Sequence, residues 1–183
     1  MGILPIILIS VVVLIIVIIS IYNSLATSRV AINEALSGIE VQLKRRADLT
    51  PNLIETVKGY AKHESAVFDR VLEAREKMLG ASNIKEEAKA SNDFAASLKS
   101  VFAIAESYPD LKASANFSSL QAELSDIEAK ISYARQFYNS NVKSYNSKIV
   151  TFPNNVFASI FNFNAEEFFD AEEGVEKPVQ VKF

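Results

Sequence analysis

The chain begins with an apolar run that contains no charged side chain. Ile3 to Ile21 is nineteen residues, and at about 1.5 Å per residue a helix of this length spans about 28 Å, close to the roughly 30 Å hydrocarbon core of a bilayer. The run predicts a transmembrane anchor over residues 1–21, with lipid contact through residues 3–21. The alternative is a cleaved signal peptide with a site at Ser24-Leu25-Ala26. The missing basic segment and the length of the run favour a retained anchor.

After the anchor, apolar residues recur at helical intervals of three and four. They predict a first soluble helix with one apolar face, formed by Ile32, Leu36, Ile39 and Leu43. No Gly or Pro lies between Pro5 and Gly38, so the anchor is expected to continue directly into this helix. Thr50-Pro51 predicts the start of a second helix, because Thr is a favourable N-cap and Pro is tolerated at the first helical position.

Two more helices follow the second one, which is expected to end near Leu79. A turn at Gly80–Asn83 precedes a third helix, with Asn83 and Glu86 as a capping box, and Tyr108-Pro109 ends it. The fourth stripe has the spacing of a heptad seam, and it consists of Phe117, Leu120, Leu124, Ile127, Ile131, Ala134, Tyr138, Val142, Tyr145, Ile149 and Phe152.

Short connections between such helices favour antiparallel neighbours. We therefore predict an all-α fold, in which the N-terminal transmembrane helix is followed by an elongated antiparallel up-down bundle of about four long helices. The bundle is expected over residues 22–152. Residues 153–183 are expected to form a Phe-rich acidic tail with a short extended end at Pro178–Phe183.

Composition narrows the classes of function. The 183 residues carry a net charge of −3 and include one His and no Cys. These counts argue against a disulfide scaffold, a thiolate or multi-His metal site, and nucleic acid as a partner. No nucleophile elbow, phosphate-binding loop or plausible catalytic triad is present in the sequence. We therefore predict a protein that is not an enzyme and has no cofactor.

The one dense basic run, Lys44-Arg45-Arg46, is a candidate binding site. The up-down topology would place it at the distal tip of the bundle, where it could bind an anionic ligand or an acidic partner. The alternative is a solvated helix end, whose cations interact favourably with the negative end of the helix dipole. The candidate tip comprises Lys44, Arg45, Arg46, Asp48, Pro51 and Asn52.

Two Tyr-Asn pairs lie seven residues apart on the fourth helix, at Tyr138-Asn139 and Tyr145-Asn146. Polar residues beside a heptad seam can set the register or the choice of helix partner. The alternative is that the Tyr side chains lie in the core while Asn bonds the backbone or solvent. Neither interpretation predicts an active site.

The tail concentrates aromatic side chains, since seven of the twelve Phe residues lie from Phe152 onward. The topology returns this segment to the bilayer, where Phe can enter the membrane interface or contact a neighbouring subunit. The alternative is that these side chains close the open end of the bundle. The candidate membrane or oligomer contacts are Phe157, Phe161, Phe163, Phe168 and Phe169.

Several of these segments together resemble the LemA family. The resemblance rests on Tyr22–Leu25 with Arg29, on the stretches Ile39–Leu53 and Val57–Glu64, and on Tyr108–Ala113, Tyr138–Asn146 and Phe152-Pro153. It implies one N-terminal membrane helix and a helical bundle, usually outside the cytoplasmic membrane of bacteria. It implies no enzymatic activity. Because relatives are often encoded beside membrane zinc peptidases, it also suggests such a peptidase, or another envelope protein, as a partner.

Membrane orientation is the point where this sequence departs from the family. The lysines that usually precede the membrane helix are missing here. The charge bias alone, set by Arg29, leans weakly towards a cytoplasmic domain, whereas the resemblance implies a single-pass protein of the cell membrane with its soluble domain outside. We expect the extracytoplasmic arrangement.

The expected function is that of a non-enzymatic, membrane-anchored scaffolding stalk, which self-assembles as a homo-oligomer or organises partners at the cell envelope. The alternative is a ligand-binding or sensory module that captures an anionic ligand at its basic tip.

Overall fold

The computed structural model describes residues 3–169, and this part of the chain is entirely helical, with no strand. The predicted all-α class is confirmed. The described residues divide into two compact units, the first formed by 3–37 with Phe137–Glu167 and the second by Gly38–Gln136 with 168–169. The six helices of the described part are α1 Ile3–Lys58, α2 Ser65–Leu79, α3 Ile84–Glu106, α4 Pro109–Lys112, α5 Ala115–Val150 and α6 Asn154–Ile160.

The first helix, α1, is far longer than the sequence predicted. It runs from Ile3 to Lys58 with Pro51 inside it, so the predicted helix boundary at Thr50-Pro51 is wrong. Proline lacks the N–H that would bond the carbonyl of Ala47, four residues earlier. That carbonyl instead accepts a hydrogen bond from Nε of Arg75 on α2, at 2.8 Å. The orphaned acceptor is therefore satisfied from a neighbouring helix, and α1 continues.

Thr50 shows the same departure from the expected cap. Its side chain is buried, and Oγ1 donates to the carbonyl of Arg46 at 2.8 Å, inside the helix. This is the back-bond that Thr makes in a helix interior, and an N-cap Thr would instead accept from a backbone N–H. The second helix starts only at Ser65, after the turn that follows Lys58.

The first unit contains the apolar end of α1. This helix is long and apolar enough to cross a membrane, with a mean hydropathy of 3.4 over its most apolar window. Beyond the apolar run, α1 contacts the C-terminal part of α5, where Lys148 Nζ donates to Ser28 Oγ at 2.8 Å, and Tyr22 meets the rings of Phe161 and Phe163, which follow α6. The buried apolar residues of the unit are Leu25, Ile32, Ala35, Tyr138, Val142, Tyr145 and Ala158.

The second unit is a helical bundle whose core draws on α1 to α5. The hairpin of α2 and α3 closes through the turn before Ile84, where Asn83 Oδ1 accepts from the Glu86 backbone N–H at 2.9 Å. The Glu86 carboxylate reaches back to Ser82 rather than to the Asn83 backbone. The predicted N-cap is thus confirmed. The larger buried apolar side chains of the unit are Ile39, Leu43, Leu53, Ile54, Val57, Phe68, Val71, Met78, Phe94, Leu98, Val101, Leu111, Phe117, Leu124, Ile127, Ile131 and Phe169.

The heptad seam predicted for the fourth stripe lies on α5. Its central members are buried, in both units, but Phe152 follows the end of the helix and is 77% exposed. Its inclusion in the seam was therefore wrong. The tail contains α6, and the extended end predicted at Pro178–Phe183 lies outside the described residues. The predicted domain limits at residues 21 and 152 stay a prediction.

Candidate functional site

The basic run does not form one surface. Lys44 and Arg45 are exposed, whereas Arg46 is 1% exposed within the bundle of the second unit. Successive helix residues point about 100° apart, so three consecutive cations cannot share one face. The predicted position at a helix end is also wrong, since α1 continues to Lys58.

The remaining members of the predicted tip lie on the outside of α1. Lys44 Nζ pairs with Asp48 Oδ2 at 3.2 Å, an i, i+4 ion pair that neutralises one of the two exposed cations. Pro51 and Asn52 are exposed. Among the described residues, Arg45 is therefore the exposed cation of the tip that forms no ion pair. This leaves little basic surface for an anionic partner.

Arg46 instead forms the centre of a buried polar cluster. Its Nη1 donates to Glu128 Oε2 on α5 at 2.8 Å. Its Nη2 donates to Oγ and to the carbonyl oxygen of Ser91 on α3, at 2.8 and 3.1 Å. The guanidinium also lies 5.0 Å from the centre of the Phe94 ring, within cation–π range. Burial lowers the pKa of Arg46, and the carboxylate of Glu128 opposes that shift.

A second arginine shares the Ser91 hydroxyl. Arg135 Nη2 donates to Ser91 Oγ at 2.7 Å, and its Nη1 donates to Asn92 Oδ1 at 2.9 Å. Ser91 Oγ therefore accepts hydrogen bonds from two guanidinium groups. We call Arg46, Ser91, Glu128 and Arg135 the arginine cluster. Two guanidinium groups on one hydroxyl oxygen repel each other, and the charge of Arg135 lowers the pKa of Arg46 further. The cluster links α1, α3 and α5.

The sequence contained one signal for this cluster. Ser91 occupies a position on the apolar stripe of the third helix, between Ala88 and Ala95, and a polar residue on a core face must find a partner. Glu128 and Arg135 lie outside the heptad seam and carried no such signal. Their roles follow from the approach of helices far apart in the sequence.

A cavity of about 290 Å³ adjoins the arginine cluster, and Arg46 and Glu128 are among its lining residues. Its other walls come from α3 and α5 of the same unit. A larger open groove of about 590 Å³ lies between α2 and α3, and its charged lining residues have both signs. Two of these residues, Glu73 and Lys77, already form an ion pair with each other at 2.8 Å. The cavity beside Arg46 is therefore the better ligand candidate.

The Tyr-Asn repeat of α5 holds the tail in the first unit. Asn146 Nδ2 donates to the Glu166 carbonyl, and the Glu166 N–H donates to Asn146 Oδ1, both at 2.9 Å. The hydroxyl of Tyr138 donates to the Glu167 carbonyl at 2.8 Å. Tyr138 and Tyr145 are fully buried, and Asn139 is half-buried. These contacts match the interpretation of core Tyr and backbone-bonding Asn, while a role in helix register stays a prediction.

An ion pair adds to the tail contact. Arg29 Nε donates to Glu166 Oε1 at 3.0 Å, so the first charged residue of the chain meets the first acidic residue of the tail. Glu166 is thereby bound through its backbone to α5 and through its side chain to α1. This geometry ties the tail to α1 and α5 of the first unit.

The tail phenylalanines divide into two groups. Phe161 and Phe163 pack edge-on against Tyr22, with ring centres 5.1 and 5.6 Å apart, and Phe157 is half-buried. Phe169 is fully buried in the second unit, where the guanidinium of Arg135 lies 5.0 Å from its ring centre. The prediction that Phe169 contacts membrane or another subunit is wrong, because its ring is enclosed within its own unit. Phe168 is half-buried.

The first unit also exposes apolar side chains in the tail. No charged residue occurs from Ile149 to Ala165. The large exposed apolar residues from Phe152 onward in this stretch, which we call the tail surface, are Phe152, Val156, Ile160 and Phe161. Phe161 contacts Tyr22 on α1, directly after the predicted span. A contiguous exposed apolar surface typically marks a contact with protein or membrane.

Tyr138 provides a pH-dependent test of the tail contact. Burial, assisted by the carboxylates of Glu166 and Glu167, raises the pKa of Tyr138 to about 12, whereas Tyr in an unfolded chain ionises near pH 10. A raised folded-state pKa gives stability that is complete below about pH 10 and is lost as the pH rises through about 12. We expect the free energy of unfolding to fall in this window, and to fall less in Tyr138→Phe. Denaturant titrations at several pH values measure it.

The control for that experiment is Tyr133→Phe, because Tyr133 is 71% exposed. This change should leave the alkaline loss of stability as it is in the unchanged chain. Ultraviolet absorbance of tyrosinate identifies the ionising groups. Ionisation of Tyr138 near pH 10 would contradict the buried hydrogen bond to the Glu167 carbonyl.

The sequence of this chain is similar to those of several known proteins. A family model described as LemA family matches residues 35–183. The magnetosome protein MamQ of Magnetospirillum gryphiswaldense is 24% identical over 184 residues, which cover 86% of this chain and 68% of that protein. Magnetosome protein MamQ 2 of Paramagnetospirillum magneticum is 23% identical with the same coverage. Protein LemA of Metamycoplasma hominis is 28% identical over 155 residues, covering 82% of this chain and 69% of that protein.

Proposed function

This chain belongs to the LemA family, and from that premise we propose that it is a non-enzymatic scaffolding protein of the cell membrane that self-assembles at the cell envelope. It crosses the membrane once, through the apolar end of α1, and its soluble part lies on the extracytoplasmic side. A membrane peptidase or another envelope protein is the heterologous partner that the family resemblance suggests.

The observation that carries this proposal is the continuity of α1. The same helix supplies the apolar span and the buried residues Leu25 and Ile32 of the first unit, without a linker between them. A tethered enzyme or receptor domain is commonly joined to its anchor by a flexible segment. A helix that is both anchor and core suits a stalk that presents a surface at a set distance from the bilayer.

The tail surface is the proposed self-association contact. Phe152 and Ile160 are 77% and 62% exposed, in a stretch of chain without charges. Interfaces between identical subunits are enriched in such apolar and aromatic side chains. The ion pair of Arg29 and Glu166 and the Asn146 contact hold the tail against its own unit, so that the surface is ordered before a second copy arrives.

Cysteine crosslinking tests this proposal cleanly, since the chain has no Cys of its own. We expect Phe152→Cys and Ile160→Cys to form covalent dimers in native membranes under mild oxidation. Lys143→Cys is the matched control, an exposed charged position in the same unit, and it should remain largely uncrosslinked.

Two results would contradict self-assembly through the tail. One is a monomer at all three Cys positions in native membranes. The other is equal dimer formation at Lys143→Cys, which would indicate random collision. Mass spectrometry of the crosslinked bands identifies whether the second chain is another copy or a different membrane protein, and the latter outcome would replace self-assembly by a heterologous scaffold.

The alternative of a ligand module on the basic tip receives less support. Arg46 is buried and Lys44 is paired with Asp48. Inside the bundle, the buried side chain of Arg46 instead lines a cavity.

A further inference from the structure

The cavity beside Arg46 is a half-open, largely apolar pocket with charged residues in its lining. Its volume is about 290 Å³, at the small end of the range for ligand pockets. Leu98 and Phe102 on α3 and Leu124 on α5 form its apolar walls. Arg46 on α1 lines it, together with Lys99 and Glu128. A small molecule with an apolar body and one polar group matches this shape.

Arg46, which lines this cavity, has an unused donor. Nη1 and Nη2 bond Glu128 and Ser91, but Nε is buried and has no hydrogen-bond partner among the described residues. A buried guanidinium N–H without a partner is uncommon, because its desolvation is then uncompensated. The side chain of Arg46 is 1% exposed, so bulk solvent does not reach it. An acceptor entering the cavity would complete its hydrogen bonding.

The charges that line the cavity favour an anion. Two cations, Arg46 and Lys99, face one carboxylate, Glu128, so the lining has a positive balance. Glu128 is 54% exposed, so it can rotate into water when another acceptor takes its place. Arginine binds carboxylates in a bidentate manner when two of its N–H groups lie on one side. The combination selects a carboxylate over a neutral polar group.

We propose that this cavity is a binding site for a small monocarboxylate with an apolar body, whose carboxylate bonds Arg46 and whose body packs against Leu98, Phe102 and Leu124. The carboxylate accepts from Nε and competes with Glu128 for the guanidinium. Lys99 at the cavity wall adds attraction for the incoming anion. The site lies in the second unit and does not depend on self-assembly through the tail surface.

Phenylacetate is a suitable probe because it combines a carboxylate with an apolar ring and dissolves in water. Binding to the full chain in lipid nanodiscs, with empty nanodiscs as the blank, is measured by calorimetry and saturation-transfer NMR. We expect saturable binding of phenylacetate. 2-Phenylethanol, which keeps the ring without the charge, is expected to bind about tenfold more weakly, the loss typical of one charge-assisted hydrogen bond.

Two substitutions at the cavity test the geometry without removing Arg46. Ala95→Leu fills the cavity from α3, and Ala96→Leu places the same side chain on the exposed neighbouring position. Ala95→Leu should abolish phenylacetate binding and leave the melting temperature close to that of the unchanged chain. Ala96→Leu should bind as the unchanged chain does.

Glu128→Gln tests the competition for the guanidinium. Removing the internal carboxylate leaves Arg46 without an anionic partner in the cavity, and phenylacetate binding should tighten by about tenfold. A structural salt bridge alone would produce a loss of stability without any change in affinity. Arg46→Lys keeps the charge but removes Nε, and it should weaken phenylacetate binding.

Three results would overturn the proposal. They are the absence of saturable phenylacetate binding, equal binding in Ala95→Leu, or equal affinity for 2-phenylethanol. The first would mean that the polar end of the cavity holds water only. Covalent dimers at Ile160→Cys would be unaffected by any of these results, so the proposed self-assembly and the ligand site are tested separately.

Discussion

Replacing Arg46 by alanine is expected to lower the free energy of unfolding by about 3 kcal/mol, whereas Arg45→Ala should change it by less than about 0.5 kcal/mol. The two residues are adjacent and carry the same charge. Arg46 is 1% exposed and bonds Glu128 and Ser91, while Arg45 points into solvent. Comparing the two variants separates the effect of burial on stability from the effect of charge, because both residues carry the same charge.

The physical reason is the number of contacts that Arg46 makes. Its loss removes the charge-assisted bonds to Ser91 and Glu128, removes the cation–π contact with Phe94, and leaves a cavity between α1, α3 and α5. Because Glu128 is half-exposed, its carboxylate regains water, which keeps the cost below that of stranding a fully buried charge.

Urea titration of the full chain in detergent micelles, followed by circular dichroism, measures this effect. Arg46→Met is the informative companion, since it keeps much of the side-chain volume while removing the charge. A buried ion pair can often be replaced by an apolar side chain of similar size at little cost. We expect Arg46→Met to cost clearly less than Arg46→Ala. Equal stability of Arg45→Ala and Arg46→Ala would contradict the buried position of Arg46.

Phe169→Ala is expected to be the second severe change, with a loss of about 3 kcal/mol, as for a fully buried Phe removed from a core. Phe169 is 0% exposed, and the guanidinium of Arg135 lies 5.0 Å from its ring centre. Truncation removes the ring and also the partner of a cation that belongs to the arginine cluster. The same titration measures the loss.

Phe152→Ala is the matched control from the same Phe-rich segment. Phe152 is 77% exposed, so its truncation should leave the unfolding free energy within about 0.5 kcal/mol. The pair distinguishes a tail that is part of the fold from a tail that lies wholly at the membrane. A neutral Phe169→Ala would show that the end of the described chain does not contribute to the core.

The periodic parts of the fold could be predicted from the sequence. The heptad spacing from Phe117 to Tyr145 placed the core face of α5, and the third helix was predicted to start at Ile84 and to end before Tyr108-Pro109. These features depend on side chains within one helix. Local spacing and capping residues are sufficient for such predictions.

The candidate sites were predicted less well, because each depends on a neighbour distant in sequence. Pro51 lies inside α1, and Nε of Arg75 on α2 supplies the hydrogen bond to the Ala47 carbonyl that the proline cannot make. Arg46 was predicted to lie on the surface of the tip. It is instead buried in contact with α3 and α5, which its sequence neighbours did not indicate. Phe169 was predicted to contact membrane or another subunit, but its ring is buried in the second unit, with the guanidinium of Arg135 beside it.

The sequence by itself determined the apolar run of α1, the helical class, the core face of α5 and the concentration of Phe in the tail. All of these are properties of composition and spacing, which act through hydrophobic burial and need no knowledge of the partner helix. Tertiary structure alone decided which cation is buried, which side chain supplies the donor that Pro51 lacks, and which tail residues join the core. Hydrogen bonds and ion pairs are directional and short in range, so these outcomes follow from which helices meet.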